Sequence, residues 1–506
     1  MAKPVVLLTG ASGTMGMESF KLMKNDTPRY TLRILVRGSE KNPKLFDEYE
    51  GKQGIEIIWG DLNNRDEVDR AVKGASLVLH VAAFVSPAAD YNPKKAMEVN
   101  YGGTRNLIEA IKDLGQEETT KFVYIGTVAE TGDRMPPIHW GRVGDPIKPS
   151  MFDYYAVSKV AAERYVIESG LKYWASLRQT GIIGPAMSEI RDAIMFHNCL
   201  NNVLEYCSDR DSGKCMQNLA RYDSNGTLSE DFWGHIYNIG GGPAARTDTY
   251  SMYEELYGAL GITELQYLLK PREIATLNFH GHYYEDSDKL NDYLHFRSDG
   301  MEYYYNSYLK TLGPVAPISK AVCKLPGGQA LMSKAIGMAF EPLKKSEHGT
   351  VRFIKEDMAP QIEAYWGGKE RWDAQPYDVR DFKRFKDWDT VIHLDHGYDE
   401  SKPESELNLE DMKGAAVFRG GECLSKKMKK GDWSTKLKFK CQFGHEFMAS
   451  PRLVLEGGHW CDECERKSWN YGQRAKGDPF FNQVWAPLHG EDELREYPKE
   501  VTELEV

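Results

Sequence analysis

The 506-residue sequence has few cysteines, no long apolar run and no excess of positive charge. Its eight cysteines are too sparse for a disulfide scaffold. No segment approaches the roughly 18 uninterrupted apolar residues that a membrane-spanning helix needs. The formal net charge of −11 argues against a general binder of nucleic acid or of anionic membranes. The first apolar strand begins at Pro4, which leaves no room for a signal peptide, so we expect a cytoplasmic protein without a membrane partner.

Hydrophobic residues make up 41% of the chain and aromatic residues 11%, which suits a globular protein with a sizeable core. The length allows two to four domains. Strand-like and helix-like segments alternate over residues 1–185. This alternation predicts an α/β fold built on a doubly wound parallel sheet.

A glycine-rich turn lies between the first predicted strand and the first predicted helix. Residues 10–16 have the spacing G-x-x-G-x-x-G. In such a turn Gly10 permits a tight bend, Gly13 lets phosphates approach, and Gly16 lets helix and strand pack closely. Backbone N–H groups and the positive end of the helix then bind a pyrophosphate. The motif alone would fit an ordinary loop equally well, so it needs support from the rest of the chain.

The ends of the second and third predicted strands carry candidate contacts to the adenosine part of a dinucleotide. The second strand, residues 30–36, is followed by Arg37 in place of the acidic residue that would select NAD. We therefore expect a preference for NADP(H), with NAD(H) as the alternative, unless Arg37 is a solvated surface residue. Asp61 follows the third strand and can accept from the adenine amino group, or it can cap the helix at residues 65–72.

Small and polar residues lie near the ends of the next two strands. Ala82 and Ala83 end the fourth strand and leave space for the cofactor, whereas His80 lies within the apolar run and is interpreted as a core histidine. Asn100 lies on a predicted helix, where an asparagine is unfavourable unless its amide has a task. Thr127 ends the fifth strand.

A helix predicted at residues 152–163 places Tyr155 and Lys159 one turn apart on one face. A free phenol, with a pKa near 10, is a poor base at neutral pH. A lysine ammonium nearby, together with an oxidised nicotinamide ring, favours the phenolate. Tyr155 is therefore the candidate general acid/base, and Lys159 would lower its pKa.

Taken in order, these residues resemble the extended short-chain dehydrogenase/reductase family, which includes NAD-dependent epimerases and dehydratases, hydroxysteroid dehydrogenases and dihydroflavonol reductases. The resemblance covers roughly residues 1–320. It implies a Rossmann-type doubly wound parallel sheet with a small substrate domain. The positions that it implies for the cofactor are Gly10, Ser12, Gly13, Thr14, Met15, Gly16, Arg37, Asp61, Leu62, Ala82, Ala83, Thr127, Tyr155, Lys159 and Ile182.

The resemblance also implies catalytic roles. Thr127 would hydrogen-bond the reacting oxygen, at a position where the family more often has serine. Asn100 would hold the active-site geometry, and Lys159 would bind the nicotinamide ribose in addition to acting on Tyr155.

The residues after Thr127 help to sort the family's reaction classes. Val128, Ala129 and Glu130 stand where sugar-nucleotide dehydratases carry Asp-Glu. We therefore favour an NAD(P)-dependent oxidoreductase that interconverts a ketone and an alcohol on a small lipophilic substrate, as in the hydroxysteroid and flavonol branch. The alternatives are a nucleotide-sugar epimerase with tightly bound NAD and a non-catalytic dinucleotide-binding scaffold. The loop residues expected to border the substrate are Phe84, Ser86, His139 and Trp140.

The segment near the C-terminus resembles a zinc ribbon. Cys441 and His445 form one ligand pair, and Cys461 and Cys464 form a second pair fifteen residues further on. This spacing predicts a structural Zn²⁺ in a tetrahedral Cys₃His site, with free thiols as the alternative. Seven lysines between residues 426 and 440 would fit a nucleic-acid-binding ribbon. A solvated face is the preferred interpretation, so nucleic acid is not an expected partner.

The expected partners are a small-molecule substrate and, from the family resemblance, a second copy in a homodimer. The aromatic residues and histidines at 278–286 fit either a substrate cleft or a packed loop. Residues 345–415 show no clear period. The expected parts are a dinucleotide-binding domain at 1–190, a substrate-binding part at 191–325, a mixed or helical extension and linker at 326–415, the zinc ribbon at 416–475 and an acidic tail at 476–506.

Overall fold

The computed structural model describes residues 3–39, 42–490 and 497. The strands are β1 (Val5–Thr9), β2 (Thr31–Val36), β3 (Ile55–Trp59), β4 (Leu77–His80), β5 (Lys121–Thr127), β6 (Trp140–Gly141), β7 (Trp174–Gln179), β8 (Ile182–Ile183), β9 (Val203–Glu205), β10 (Cys207–Ser208), β11 (His235–Ile239), β12 (Arg246–Asp248), β13 (Tyr283–Tyr284), β14 (Glu422–Cys423), β15 (Leu437–Lys440) and β16 (Glu446–Ala449). The helices are α1 (Thr14–Met23), α2 (Asn42–Phe46), α3 (Arg65–Val72), α4 (Ala88–Tyr91), α5 (Pro93–Ala96), α6 (Gly103–Asp113), α7 (Tyr154–Ile167), α8 (Asp209–Ser224), α9 (Thr249–Gly258), α10 (Ser287–Leu294), α11 (Met301–Leu312), α12 (Val315–Cys323), α13 (Gly328–Lys344), α14 (Thr350–Lys355), α15 (Ala359–Trp366), α16 (Lys369–Asp373), α17 (Leu409–Phe418), α18 (Asp462–Glu465), α19 (Tyr471–Gly477) and α20 (Pro479–His489).

Seven parallel strands form the central sheet, in the order β11-β7-β5-β4-β1-β2-β3. Their sequences are apolar runs, as strands covered on both faces require. Helices α1 and α8 cover one face of the sheet, and α3, α6 and α7 cover the other. This is the Rossmann-type doubly wound sheet that the sequence predicts, and the carboxyl ends of its strands meet at one edge.

Residues 177–183 do not form one continuous strand. Their first part lies within β7 of the central sheet, whereas β8 pairs with β10 outside it. The chain leaves the sheet at Gly181, where an added Cβ would lie 2.9 Å from the Tyr206 ring. The predicted fourth strand is also shorter than expected and ends at His80, so that Ala82 and Ala83 lie in the following loop.

The part after the central sheet is mainly helical. Short strands β9 and β12 pair beside α9 and α11, and their apolar side chains form a separate core. Residues 345–415 contain α14, α15 and α16 and the first turns of α17, although the sequence shows no period there. These helices are short, and α15 ends at Gly367 with φ +77°, so no apolar stripe is long enough to be recognised.

The C-terminal segment packs against the central domain. Strands β14, β15 and β16 form an antiparallel sheet, and Phe439 and Trp460 share a core with Val166 and Ile167 of α7. The predicted acidic tail is wrong over residues 479–489, because Phe481 and neighbouring side chains of α20 are buried. The rest of that predicted tail, from residue 491 onward, lies outside the described residues apart from Tyr497.

Among the helices that the structure describes, none has the length and apolar character to cross a lipid bilayer.

Candidate active site

The glycine-rich turn joins β1 to α1 in the geometry that an anion site needs. Gly10 has φ +75°, and an added Cβ there would lie 2.6 Å from Ala82 N. A Cβ on Gly16 would lie 2.0 Å from Gly10 O, so both positions require glycine. Gly13 is the N-cap of α1 and has no side-chain cap. The first-turn N–H groups therefore face the carboxyl edge of the sheet without a capping side chain, as at a phosphate-binding helix end.

The other predicted cofactor residues of this turn differ in their exposure to solvent. Ser12 and Thr14 are exposed beside Gly13 and can offer their backbone and hydroxyl groups. Met15 is only 5% exposed and packs in the core under the turn. A contact from Met15 to a dinucleotide would therefore come mainly from its backbone.

Arg37 and Asp61 lie at the ends of β2 and β3. Arg37 is exposed. The alternative role of Asp61 as a helix cap is wrong, because the N-cap of α3 is Asn64, whose side chain accepts from Glu67 N. Asp61 Oδ1 accepts from Asn63 N at 2.9 Å. Leu62, also predicted to contact the cofactor, is 8% exposed and packs against α6.

A buried histidine links the turn to the loop after β4. His80 Nδ1 lies 2.8 Å from Thr9 Oγ1, and His80 Nε2 lies 3.0 Å from Thr104 Oγ1. Thr9 Oγ1 also accepts from Ala82 N at 3.2 Å. Burial lowers the pKa of His80 to about 3, so the imidazole is neutral. The interpretation of His80 as a core histidine is confirmed, and its role is to fix the backbone that contacts Gly10.

Asn100 has the task that its unfavourable position requires. It lies in a π-helical turn, Met97–Gly102, and is buried. Its Oδ1 accepts from Phe84 N at 2.7 Å, and its Nδ2 donates to Phe84 O at 2.9 Å and to Ser158 Oγ at 2.8 Å. Asn100 thus joins the loop after β4 to α7, which carries the predicted catalytic pair.

The structure brings Thr127, Tyr155 and Lys159 together at the end of β5. Asp153 caps α7 by accepting from Ala156 N at 2.8 Å. Lys159 Nζ donates to Ile125 O at 2.6 Å. Burial raises the pKa of Tyr155, and a hydrogen bond with Thr127 opposes that rise. The phenol is therefore protonated at neutral pH, as a general acid must be before it gives up a proton.

A buried charge network under this site was not predicted from the sequence. Glu130 Oε1 accepts from Thr127 N at 3.0 Å, and Glu130 Oε2 lies 3.2 Å from Arg178 Nε. Arg178 Nη2 donates to Glu163 Oε2 at 2.6 Å. Burial and the neighbouring Glu163 raise the pKa of Glu130. Burial lowers the pKa of Lys159 to about 8, and the carboxylate of Glu163 opposes that change. The network therefore helps to keep Lys159 protonated.

A cavity of about 250 Å³ lies beside the first turn of α7. Asp90, in its wall, accepts from Tyr155 N at 2.9 Å, so the cavity lies beside the backbone of the predicted catalytic tyrosine, whose side chain is not among the lining residues. Burial and the neighbouring Asp153 raise the pKa of Asp90 to about 7. No lysine or arginine is found among the described residues of the wall. The aromatic side chains that line it are Tyr91, Phe152, Tyr154, Phe279, Phe353 and Tyr365.

The predicted substrate residues are only partly brought together. Ser86 lines the cavity. Phe84, two residues before Ser86, is hydrogen-bonded to Asn100. His139 Nε2 and Trp140 Nε1 instead donate to Trp388 O, at 3.1 and 2.9 Å, under a segment that the sequence did not assign. Of the residues that were weighed as a cleft or a packed loop, Phe279 and His280 line the cavity. The aromatic residues and histidines clustered at 278–286 were the sequence signal for this part of the wall. No sequence pattern pointed to Phe353 or Tyr365.

Cys441, His445, Cys461 and Cys464 converge, with all four ligand atoms within 4.8 Å of one another. His445 Nδ1 lies 3.4 Å from each of the three sulfur atoms, and Cys441 Sγ lies 3.9 Å from Cys464 Sγ. Tetrahedral zinc with Zn–S of about 2.3 Å and Zn–N of about 2.0 Å gives edges of about 3.5 Å for S···N and about 3.8 Å for S···S. A disulfide would need about 2.05 Å. The four side chains therefore fit a Cys₃His metal site.

A Rossmann-type sheet, an uncapped glycine-rich turn and a Tyr-x-x-x-Lys helix are features typical of extended short-chain dehydrogenases/reductases. The comparisons with known proteins agree with this class. Residues 6–214 match the family described as the NAD dependent epimerase/dehydratase family. Over these residues, about two fifths of the chain, the sequence is similar to that family.

Relatives of known name match a similar share of the chain. The 3 beta-hydroxysteroid dehydrogenase type 7 of Homo sapiens is 32% identical over 200 residues, which are 38% of this chain and 53% of the relative. The 3 beta-hydroxysteroid dehydrogenase/Delta 5-->4-isomerase of vaccinia virus is 29% identical over 204 residues, or 36% of this chain and 53% of the relative. The chain thus spans about half the length of these curated relatives.

Two solved structures have a similar fold. A dTDP-glucose 4,6-dehydratase from Bacillus anthracis in complex with NAD has a TM-score of 0.46 and 17% identity, and the match covers 61% of this chain and 96% of that one. The Bordetella bronchiseptica enzyme WbmH in complex with NAD⁺ has a TM-score of 0.45 and 18% identity, with 62% and 100% covered.

Proposed function

We propose that the protein is an NAD(P)-dependent oxidoreductase that interconverts a ketone and an alcohol on a small lipophilic substrate. The observation that carries this proposal is the aromatic cavity beside Tyr155, whose described wall holds no lysine or arginine. A nucleotide sugar carries a diphosphate, which calls for cationic side chains or a helix N-terminus. An aromatic wall with a few hydroxyl and carboxyl groups suits an apolar ring system with an oxygen substituent. The hydroxysteroid dehydrogenase relatives support the same substrate class.

The residues of the site can carry out the proton part of this reaction. A bound reduced dinucleotide would supply the hydride to the carbonyl carbon. Tyr155 would give its phenolic proton to the carbonyl oxygen, and Thr127 would hydrogen-bond the same oxygen. Lys159, held one turn further along α7, would stabilise the phenolate that remains. Oxidation of an alcohol would run through the same atoms in reverse.

The cofactor is proposed to bind at the glycine-rich turn, and Arg37 favours NADP(H) over NAD(H). Arg37 lies exposed at the end of β2, where the 2′-phosphate of NADP would be placed in this fold. The solved structures of similar fold were determined with NAD, so NAD(H) remains the alternative. The cytoplasmic location and the homodimer expected from the sequence stay predictions.

We also propose that the Cys441, His445, Cys461 and Cys464 site holds one Zn²⁺. Four protein ligands complete a tetrahedral shell, so the metal would be structural and would have no open position for a substrate. The neighbouring C-terminal sheet is small, and a metal would contribute to its folding.

The decisive experiment measures cofactor binding and turnover. The purified protein should bind NADPH in a fluorescence titration and should oxidise it when ketosteroids or other apolar ketones are added. Tyr155→Phe should lower kcat by at least about a hundredfold, because the acid is removed, while the Kd for NADPH stays within about threefold. Tyr165→Phe, on the same helix but outside the cavity wall, is the matched control. Stoichiometric NAD released only on denaturation, with turnover of nucleotide sugars, would contradict the proposal and favour the epimerase.

A further inference from the structure

Helices α12 and α13 form a hairpin, residues 315–344, that presents large apolar side chains to solvent. Its inward side is packed, and Ser319 and Ser333 there are buried. Single exposed apolar residues are ordinary on a protein surface, but a group of them on one hairpin marks a contact surface. The exposed side chains are Val315 (51%), Ile318 (61%), Leu325 (62%), Leu331 (62%) and Met338 (67%).

The charge of this region is opposite to that of the chain. Residues 311–340 contain no aspartate or glutamate, and their lysines, Lys320, Lys324 and Lys334, are all exposed. The whole chain has a formal net charge of −11, so three positive charges over 30 residues are a local exception. The first acidic residue of the hairpin is Glu341, near the end of α13, where it pairs with Lys344 and Lys345. The exposed apolar side chains before it are edged by lysines alone, which complements an anionic phospholipid headgroup layer. A protein partner would more often be met by charges of both signs.

The hairpin adjoins the aromatic cavity. Phe340 of α13 packs against Phe196, with ring centroids 5.9 Å apart, and Ile194 lies in the cavity wall. After α13 the chain passes directly into the same wall at His348 and Phe353. A layer of lipid on the hairpin would therefore lie close to the proposed substrate site.

We propose that the α12–α13 hairpin docks on the surface of an anionic phospholipid bilayer. The exposed apolar side chains enter the boundary between headgroups and acyl chains, and the three lysines lie among the phosphates. Helices of nine and 17 residues lying in this plane suit an interfacial contact. The proposal differs from the expectation, drawn from the net charge of the whole chain, that anionic membranes are not a partner. Membrane binding itself does not depend on the proposed reaction, although a lipophilic substrate would then be delivered beside its cavity.

The test is flotation of the full chain with phosphatidylcholine vesicles that contain or lack phosphatidylglycerol. The wild-type protein should float with the anionic vesicles at low salt and less with the neutral ones, and high salt should weaken the binding. Ile318→Asp with Leu331→Asp should lower the partition coefficient at least about tenfold, because two apolar side chains no longer enter the bilayer. Val417→Asp, at a position 68% exposed on α17, is the matched control and should bind as the wild type does.

Two outcomes would overturn the proposal. In the first, the wild-type protein does not float with anionic vesicles. In the second, Val417→Asp reduces flotation as much as the hairpin variant does. Light scattering of the same samples tests whether a second copy of the chain occupies this surface instead. If vesicle binding is absent and the hairpin substitutions convert a dimer to a monomer, the surface joins two copies of the chain. The dinucleotide titration is run in parallel, so loss of the proposed activity is distinguished from loss of docking.

Discussion

Asn100, Glu130 and Arg178 show how single buried side chains position the candidate active site. Asn100 fixes the loop after β4 against α7, and Glu130 holds the backbone of Thr127. Arg178 lies between Glu130 and Glu163. Buried carboxylates are tolerated only when they are paired and hydrogen-bonded, which explains why Arg178 lies at their centre.

At the residue scale, Arg37→Ser is expected to change cofactor choice. If Arg37 meets the 2′-phosphate, its loss removes a charge-assisted contact of about 1.5–3 kcal/mol and raises the Kd for NADPH by about tenfold or more. The Kd for NADH should stay within about twofold. Fluorescence titration measures both values. Arg65→Ser, which removes another partly exposed arginine, is the control. Equal effects of Arg37→Ser on NADPH and NADH would mean that Arg37 is a solvated residue.

The candidate catalytic residues could be proposed from the sequence because their relation is local or ordered. Tyr155 and Lys159 are four residues apart on one helix, and the glycine spacing is fixed by one turn. Glu163 could not be assigned, because its partner His459 lies 296 residues further along the chain. His139 and Trp140 look like cleft residues by composition, but a distant segment covers them.

At the element scale, α7 is contacted by residues 457–460, the loop that precedes Cys461 and Cys464. His459 Nε2 lies 3.1 Å from Glu163 Oε2, and Arg164 Nη1 donates to Trp460 O at 2.8 Å. Arg178 Nη2 donates to Gly457 O at 2.7 Å. The sequence predicted the zinc ribbon at residues 416–475 as a separate part. In the structure its buried side chains share one core with α7. Contacts between residues so far apart in the chain leave no periodic signal in the sequence.

Removal of the proposed zinc should therefore loosen α7. Chelation, or Cys464→Ser, should abolish the bound zinc and raise amide hydrogen exchange over residues 154–167 by about tenfold or more. Exchange in α1, on the other face of the sheet, should change little. Cys423→Ser is the matched control, because Cys423 lies outside the four-residue cluster. Mass spectrometry measures both metal content and exchange. Unchanged exchange in α7, or an equal rise in α1, would contradict this coupling.

At the scale of the whole molecule, the fold of the N-terminal part could be predicted from a sequence pattern. The arrangement of the remaining segments depends on packing between distant residues. The central sheet was predicted because parallel strands and their helices alternate with a strong period. The cavity was not, because its wall combines the ends of the central domain with Phe353 and Tyr365 of short helices beyond residue 345. The additional segments therefore shape the proposed substrate site as well as extending the chain.

Three buried histidines whose pKa values are lowered favour loss of stability in acid. Burial lowers the pKa of His80 to about 3, of His197 to about 4 and of His282 to about 3. In the unfolded chain these groups titrate near 6.5, so between pH 6.5 and about 4 the unfolded state binds more protons than the folded state. The free energy of unfolding should therefore fall as pH falls through this window.

The contribution of one histidine can be isolated at His197, whose Nε2 donates to His348 O at 2.8 Å. In His197→Gln the side-chain amide can keep this hydrogen bond but cannot titrate. Urea denaturation at pH 7, 6 and 5 should show a slope against pH that is smaller than the wild-type slope by up to about 1.4 kcal/mol per pH unit. Equal slopes would mean that His197 takes up a proton in the folded state as readily as in the unfolded state, and that its burial does not keep the imidazole neutral.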